Sequence, residues 1–140
     1  KVVGFAAENH LRKELCTKAL QSSLAFRQPQ TSLLHHSDRG SQYASDDYQR
    51  ILKQYGCTVS MSRKGNCYDN AVVESFFASL KQERMQWRNY QTRYQAQQDV
   101  LDYIAMFYNS TRLHSYLDYM SANDYERQLM EQKKAAWGKT

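Results

Sequence analysis

Apolar positions recur along this chain with two periods, and the switches between them mark out its elements. Val2, Val3 and Phe5 fall in a short run, Lys1 to Ala7, that predicts a strand. From about Asn9 to Phe26 the steps become three and four residues, through Leu11, Leu15, Ala19 and Ser22. That period predicts a helix, and Pro29 lies beyond its end as a stop. Ser32 to His36 predicts a buried strand, two leucines followed by two histidines. It enters Ser37-Asp38-Arg39-Gly40-Ser41, residue types that favour a turn. Ser45 is a candidate N-cap for a helix through Tyr55, closed by Gly56. Cys57 to Met61 alternates as a strand does, and Ser62 to Asn66 is a basic, glycine-containing loop.

Beyond that loop the helical period returns. Asp69 or Asn70 is placed to cap a helix to about Met85, with Val73, Phe76, Phe77 and Leu80 as one buried face. Asn70, Glu74 and Lys81 fall together on the flank of that face. Tyr94 to Tyr108 predicts another helix, with Val100, Leu101, Ile104 and Phe107 as its stripe, and an amphipathic helix runs from about Ser121 to Ala136. No repeat and no long linker divides the chain. A single domain is expected over residues 1–140, with about 1–90 as core and about 91–140 as C-terminal helices. Alternating strands and helices make it an α/β layered fold.

Composition narrows the possibilities. At 140 residues and 41% hydrophobic, the chain has the material for one core. No apolar run reaches the length of a membrane span, so no membrane partner is expected. The stretch Val2 to Ala7 is too short for a signal peptide. Three cysteines, Cys16, Cys57 and Cys67, are a poor disulfide framework and suit reduced thiols in a cytoplasmic protein. A net charge of +5 and a pI near 9.1 favour a polyanionic partner such as nucleic acid. The 11 tyrosines and 2 tryptophans add surfaces able to stack on exposed bases, although most are expected in or near the core.

Two carboxylates stand out. Asp38 ends a predicted apolar strand, where α/β folds expose functional groups. Glu74 sits one turn into a helix, beside its apolar face. A charge so near a core edge needs a partner. Magnesium or manganese would serve, since both prefer carboxylate oxygens and leave positions open for water and phosphate. An arbitrary Asp and Glu are most often plain surface charges; here the surrounding motifs weigh the other way.

The run His36-Ser37-Asp38-Arg39-Gly40-Ser41-Gln42-Tyr43 resembles the segment that holds the second acidic residue of insertion-sequence transposases, members of the retroviral-integrase-like DDE superfamily. The run from Ser60 through Arg63-Lys64-Gly65-Asn66-Cys67-Tyr68-Asp69-Asn70 to Glu74-Ser75-Phe76-Phe77 resembles the segment carrying the third. Between Asp38 and Glu74 stand 35 residues, the interval the family uses, and Lys81 occupies its recurring basic position seven residues after the glutamate. Tyr108-Asn109-Ser110-Thr111-Arg112-Leu113-His114-Ser115 is similar to the family's C-terminal motif. That motif usually continues Leu-Gly-Tyr and Ser-Pro. Here the residues are Leu117-Asp118-Tyr119 and Ser121-Ala122, departures that bear on the local turn shape.

The resemblance implies a ribonuclease-H-like integrase catalytic core and metal-dependent DNA strand transfer with Mg²⁺ or Mn²⁺. It makes Asp38 and Glu74 catalytic metal ligands and Lys81 a phosphate contact; Arg63, Lys64, Asn70 and Arg112 are further candidate DNA contacts, although Arg112 and His114 could equally bond the domain's edge. Arg63-Lys64-Gly65 is a loop able to close over DNA. His35 and His36 are expected to be structural. The family's first acid lies on an opening strand with no counterpart here, and Asp46 and Asp47 come too late to replace it. The expectations are therefore an incomplete sheet lacking its first two strands, inactivity of this polypeptide alone, and a homo-oligomer formed through the unpaired edge. A non-catalytic nucleic-acid-binding remnant is the alternative, and a nuclease that cuts without joining is a weaker one.

Overall fold

The computed structural model describes residues 1–9, 12–29, 32–62 and 71–137. In chain order its elements are α1 (Lys13–Arg27), β1 (Leu34–Ser37), α2 (Asp46–Gln54), β2 (Thr58–Met61), α3 (Ala71–Glu83), α4 (Arg93–Asp102) and α5 (Ala122–Trp137). A π-helical stretch, Tyr103–Tyr108, prolongs α4, and 3-10 turns stand at Met85–Trp87 and Ser115–Leu117. The chain forms two compact units: one is Val3–Lys81, the other runs from Gln82 onward and includes Lys1 and Val2.

In the first unit β1 and β2 pair in parallel, Leu34 opposite Thr58 through Ser37 opposite Met61. Parallel neighbours need a crossover, which α2 provides. Its core is Leu20 and Leu24 of α1 against Tyr48 and Leu52 of α2, with Cys16, Tyr43, Ile51 and Cys57 packed around them. The buried residues of α1 are therefore Leu20 and Leu24, with half-buried Cys16 packed beside them, one step round from the expected stripe; Leu15 and Ala19 are half-buried and Ser22 is exposed. Leu11 lies outside the described residues. Helix α1 also begins at Lys13, later than expected. Gly56 closes α2 as expected, at φ 65°. Ser45 precedes α2, but its hydroxyl donates to the Gln42 carbonyl at 2.7 Å and caps nothing.

Three expectations of this unit are corrected. Lys1 to Ala7 forms no strand, because no described strand lies alongside to share a ladder. Gly4 instead lies against α1 so closely that a Cβ would meet the Ser23 backbone nitrogen at 2.5 Å. Strand β1 is not buried: Leu34 is 65% exposed, and Ser37 alone of its four residues is buried. The expected buried face of α3 also fails, for Val73 is 57% and Phe77 60% exposed and only Leu80 is buried. Both results share a cause: among the described residues, no element covers those side chains. The caps expected at Asp69 or Asn70 lie outside the described residues.

The second unit is held by polar networks around a small core of Tyr103, Ile104, Tyr108 and Ala122. The 3.6-residue period placed Leu101 and Phe107 on the buried stripe, yet both are exposed. The π-helical stretch explains the shift at Phe107, since each wider turn takes an extra residue and rotates the side chains after it; Leu101 lies before that stretch. Ile104 is buried as expected, and Tyr103 and Tyr108 face inward in place of the other two. Asn109 comes directly after, and its amide clasps the Val2 peptide: Oδ1 accepts the Val2 N–H at 2.9 Å, and Nδ2 donates to the Val2 carbonyl at 2.8 Å. Ser121 caps α5, its hydroxyl accepting the Asp124 N–H at 3.1 Å. Asp118 and Tyr119 hold left-handed conformations, φ 52° and 57°.

Candidate active site

The local sequence fixes where Asp38 stands. Strand β1 ends at Ser37, so Asp38 is the first residue past the C-terminal rim of the parallel pair. Its Oδ1 accepts the Gly40 N–H at 2.7 Å, a turn-type bond that orients the carboxylate. A Cβ at Gly40 would meet that same oxygen at 2.9 Å, so the glycine clears the space the carboxylate occupies. The rim is tied by Ser62, whose N–H donates to the Ser37 carbonyl at 2.9 Å and whose own carbonyl accepts Arg39 Nε at 2.9 Å.

The two histidines are structural, as the sequence suggested. His36 lies between Ser60 and Ser62, with its ring nitrogens 3.0 and 3.1 Å from their hydroxyls. His35 Nε2 is 3.0 Å from the Tyr48 hydroxyl, and burial pushes its pKa below the usual value, so the neutral ring prevails near neutrality.

Glu74 sits in the first turn of α3, exposed. An acid there is favoured by the helix dipole. Lys81 stands in the last turn. Seven residues bring a helix almost to the same face about 10 Å along its axis, so Glu74 and Lys81 share one side of α3. Among the described residues neither makes an ion pair, and Asp38 makes none either. Those residues hold no cluster of three or more His, Cys, Asp or Glu placed to bind a metal ion. Arg63, Lys64 and Asn70 lie outside the described residues.

Arg112 is committed elsewhere. Its Nε and Nη2 donate to Glu83 Oε1 at 2.9 and 2.7 Å, and its guanidinium lies 5.7 Å from the Tyr108 ring centre. Tyr103 donates its hydroxyl proton to the same carboxylate at 2.7 Å. The Arg112 hydrogen bond holds the Glu83 carboxyl below its usual range. A second network joins Arg84 and Tyr90 to Asp99, with Arg84 Nη2 at 2.6 Å and the tyrosine hydroxyl at 2.7 Å. The sequence named neither Glu83 as the partner of Arg112 nor the Asp99 network. Its only signal was the density of Arg and Tyr between Glu83 and Arg112, which does not say which acid each group meets.

Comparison with known proteins joins these observations. Residues 1–67 match an Integrase core domain family, and residues 74–130 match a second family of the same description. The chain is 42% identical over 127 residues to the Transposase for insertion sequence element IS904 of Lactococcus lactis subsp. lactis (strain IL1403), covering 91% of this chain and 50% of that protein. It is 46% identical over 121 residues to the Insertion element IS600 uncharacterized 31 kDa protein of Shigella sonnei, covering 86% and 44%. With the Transposase InsF for insertion sequence IS3fB of Escherichia coli (strain K12) the identity is 40% over 127 residues, covering 91% and 44%. The chain thus spans about half the length of these curated relatives. No solved structure matches it significantly. On this similarity, and on the two integrase-core matches that together take in Asp38, Glu74 and Arg112, the chain belongs to the integrase core domain family of insertion-sequence transposases.

Proposed function

We propose that the chain carries two of the metal-binding carboxylates, Asp38 and Glu74, of a ribonuclease-H-like core that performs DNA transposition by metal-dependent strand transfer. The observation that carries this reading is the placement of the two acids. One stands at the C-terminal rim of the parallel strands and the other in the first turn of α3, and both carboxylates are free of ion pairs among the described residues. Hard oxygen donors with spare lone pairs suit Mg²⁺ or Mn²⁺. Asp38 has one oxygen oriented by Gly40 and one left over. When bound, two such ions stabilise charge on the attacking and leaving oxygens of a phosphoryl transfer.

The chain's own residues then divide the work. Asp38 and Glu74 hold the cations, and Lys81, on the Glu74 side of α3, takes a phosphate as a compact charge. Arg63, Lys64 and Asn70 extend that contact from the segment leading into α3. Arg112 has its charge largely met by Glu83, which makes it the weakest of these candidate contacts. DNA is bound mainly through phosphate, so affinity falls steeply with salt.

The family's first acid and the opening strands of the sheet are assigned to the other half of the transposase length. The bare apolar surface of β1 and α3 supports this, because the missing strands of such a sheet would cover Leu34, Val73 and Phe77. A polypeptide of these 140 residues is accordingly expected to be inactive by itself and to associate through that surface. Calorimetric titration with Mn²⁺ tests the metal site: Asp38→Asn and Glu74→Gln should each abolish binding measured on the parent chain. Unchanged binding in both variants overturns the assignment. In a full-length transposase the same changes should abolish joined products.

A further inference from the structure

The 3-10 turn Met85–Trp87 is unusual in what it leaves outside. Trp87 is 76% exposed, although burying an indole is among the larger apolar gains available to a chain. It is not loosely held: the ring N–H donates to the Gln82 carbonyl at 2.7 Å. The segment beneath it is fixed at both flanks. Arg84 is forked onto Asp99, Tyr90 donates to that same carboxylate at 2.7 Å, and the Gln91 N–H donates to the Gln95 side chain at 3.0 Å. Close by in sequence stand Arg88 and Arg93, both exposed and without an ion pair among the described residues, and Tyr94, which is 70% exposed. An exposed, oriented aromatic face with uncommitted cations close by in sequence is suited to an unpaired nucleobase with its phosphates.

We propose that Trp87, with Tyr94, Arg88 and Arg93, forms a stacking platform for a single DNA strand, separate from the Asp38–Glu74 site. The inference rests on the reading that this chain handles DNA, and it adds that part of that DNA is unpaired. Positive charge selects a polyanion over an apolar partner surface, and a ring held by its own N–H meets a base without first losing freedom. Every base has a π-face, so the platform reads no sequence.

The test uses the full chain carrying Trp137→Phe, in which Trp87 is the sole tryptophan. A thymidine 20-mer should quench its fluorescence, and a blunt duplex of equal length should quench it far less. By anisotropy with labelled DNA, Trp87→Ala should weaken single-strand binding about 5- to 100-fold while changing duplex binding little. Trp87→Phe should restore most of the loss, and Arg88→Glu with Arg93→Glu should weaken both. Single-strand affinity unchanged in Trp87→Ala, with the parent binding DNA, overturns the platform and leaves the DNA reading standing. A parent that binds neither DNA at low salt overturns both. Sedimentation in which Trp87→Ala dissociates an otherwise stable dimer, with DNA affinity intact, assigns the patch to a second copy and overturns the platform.

Discussion

Replacing Asp99 with alanine removes the acceptor shared by Arg84 and Tyr90. Arg84 reaches both carboxylate oxygens, Nε at 3.0 Å to each and Nη2 at 2.6 Å, and Tyr90 adds a contact at 2.7 Å. The side chains of Arg84 and Asp99 are 31% and 13% exposed. Exposed pairs are worth about 0.2–1 kcal/mol, and breaking a buried one costs about 3–5 kcal/mol. A half-buried fork should cost about 2 kcal/mol, lowering Tm by roughly 5–10 °C. Both tryptophans, Trp87 and Trp137, belong to this unit, so their fluorescence during urea unfolding reports its stability. A double-mutant cycle with Arg84→Met should give a coupling of about 1–2 kcal/mol at neutral pH. The Arg84 hydrogen bond holds the Asp99 carboxyl below its ordinary 3.8, so its contribution is complete above that pH. It is lost as pH falls through the lower, folded-state value. A coupling below about 0.3 kcal/mol at neutral pH, or one that grows on acidification, would refute this reasoning.

Other outcomes rest on the same structure. Leu52→Ala, at a side chain with no exposed surface, should destabilise the first unit by about 2–5 kcal/mol in thermal melts by circular dichroism; a loss under about 1 kcal/mol would mean that the core collapses around the void. Asn109→Ala deletes both bonds to the Val2 peptide, costing about 1–3 kcal/mol and speeding hydrogen exchange at the Val2 amide; unchanged exchange there would show that the clasp does not form. Asp118→Gly relieves a left-handed residue at φ 52° and should raise stability by about 0.5 kcal/mol, provided that relief exceeds the added freedom of glycine in the unfolded chain. A lowered Tm would show that the aspartate side chain stabilises this turn.

Much of the candidate site could be read from the sequence because it depends on local order. The step from an apolar run to Ser37-Asp38-Arg39-Gly40 is enough to end a strand and turn out a carboxylate, and the structure puts Asp38 just past β1. Gly56 is likewise legible, since a left-handed φ is a demand on a single residue. At position 118 the departure from the family's glycine left the turn shape open, and the structure holds the aspartate in a left-handed conformation.

The tertiary structure alone decided which faces are covered and which charges meet. Periodicity identifies an apolar stripe but not its cover, so Val73, Phe77 and Leu34 carry buried-type side chains that no described element shields. It also assumes 3.6 residues per turn, which the π-helical stretch at Tyr103–Tyr108 breaks, sending Tyr108 inward in place of Phe107. Arg112 lies 29 positions from Glu83, and Asn109 lies 107 from Val2. Contacts at such separations depend on how distant segments pack, and residue type records only that a partner is needed.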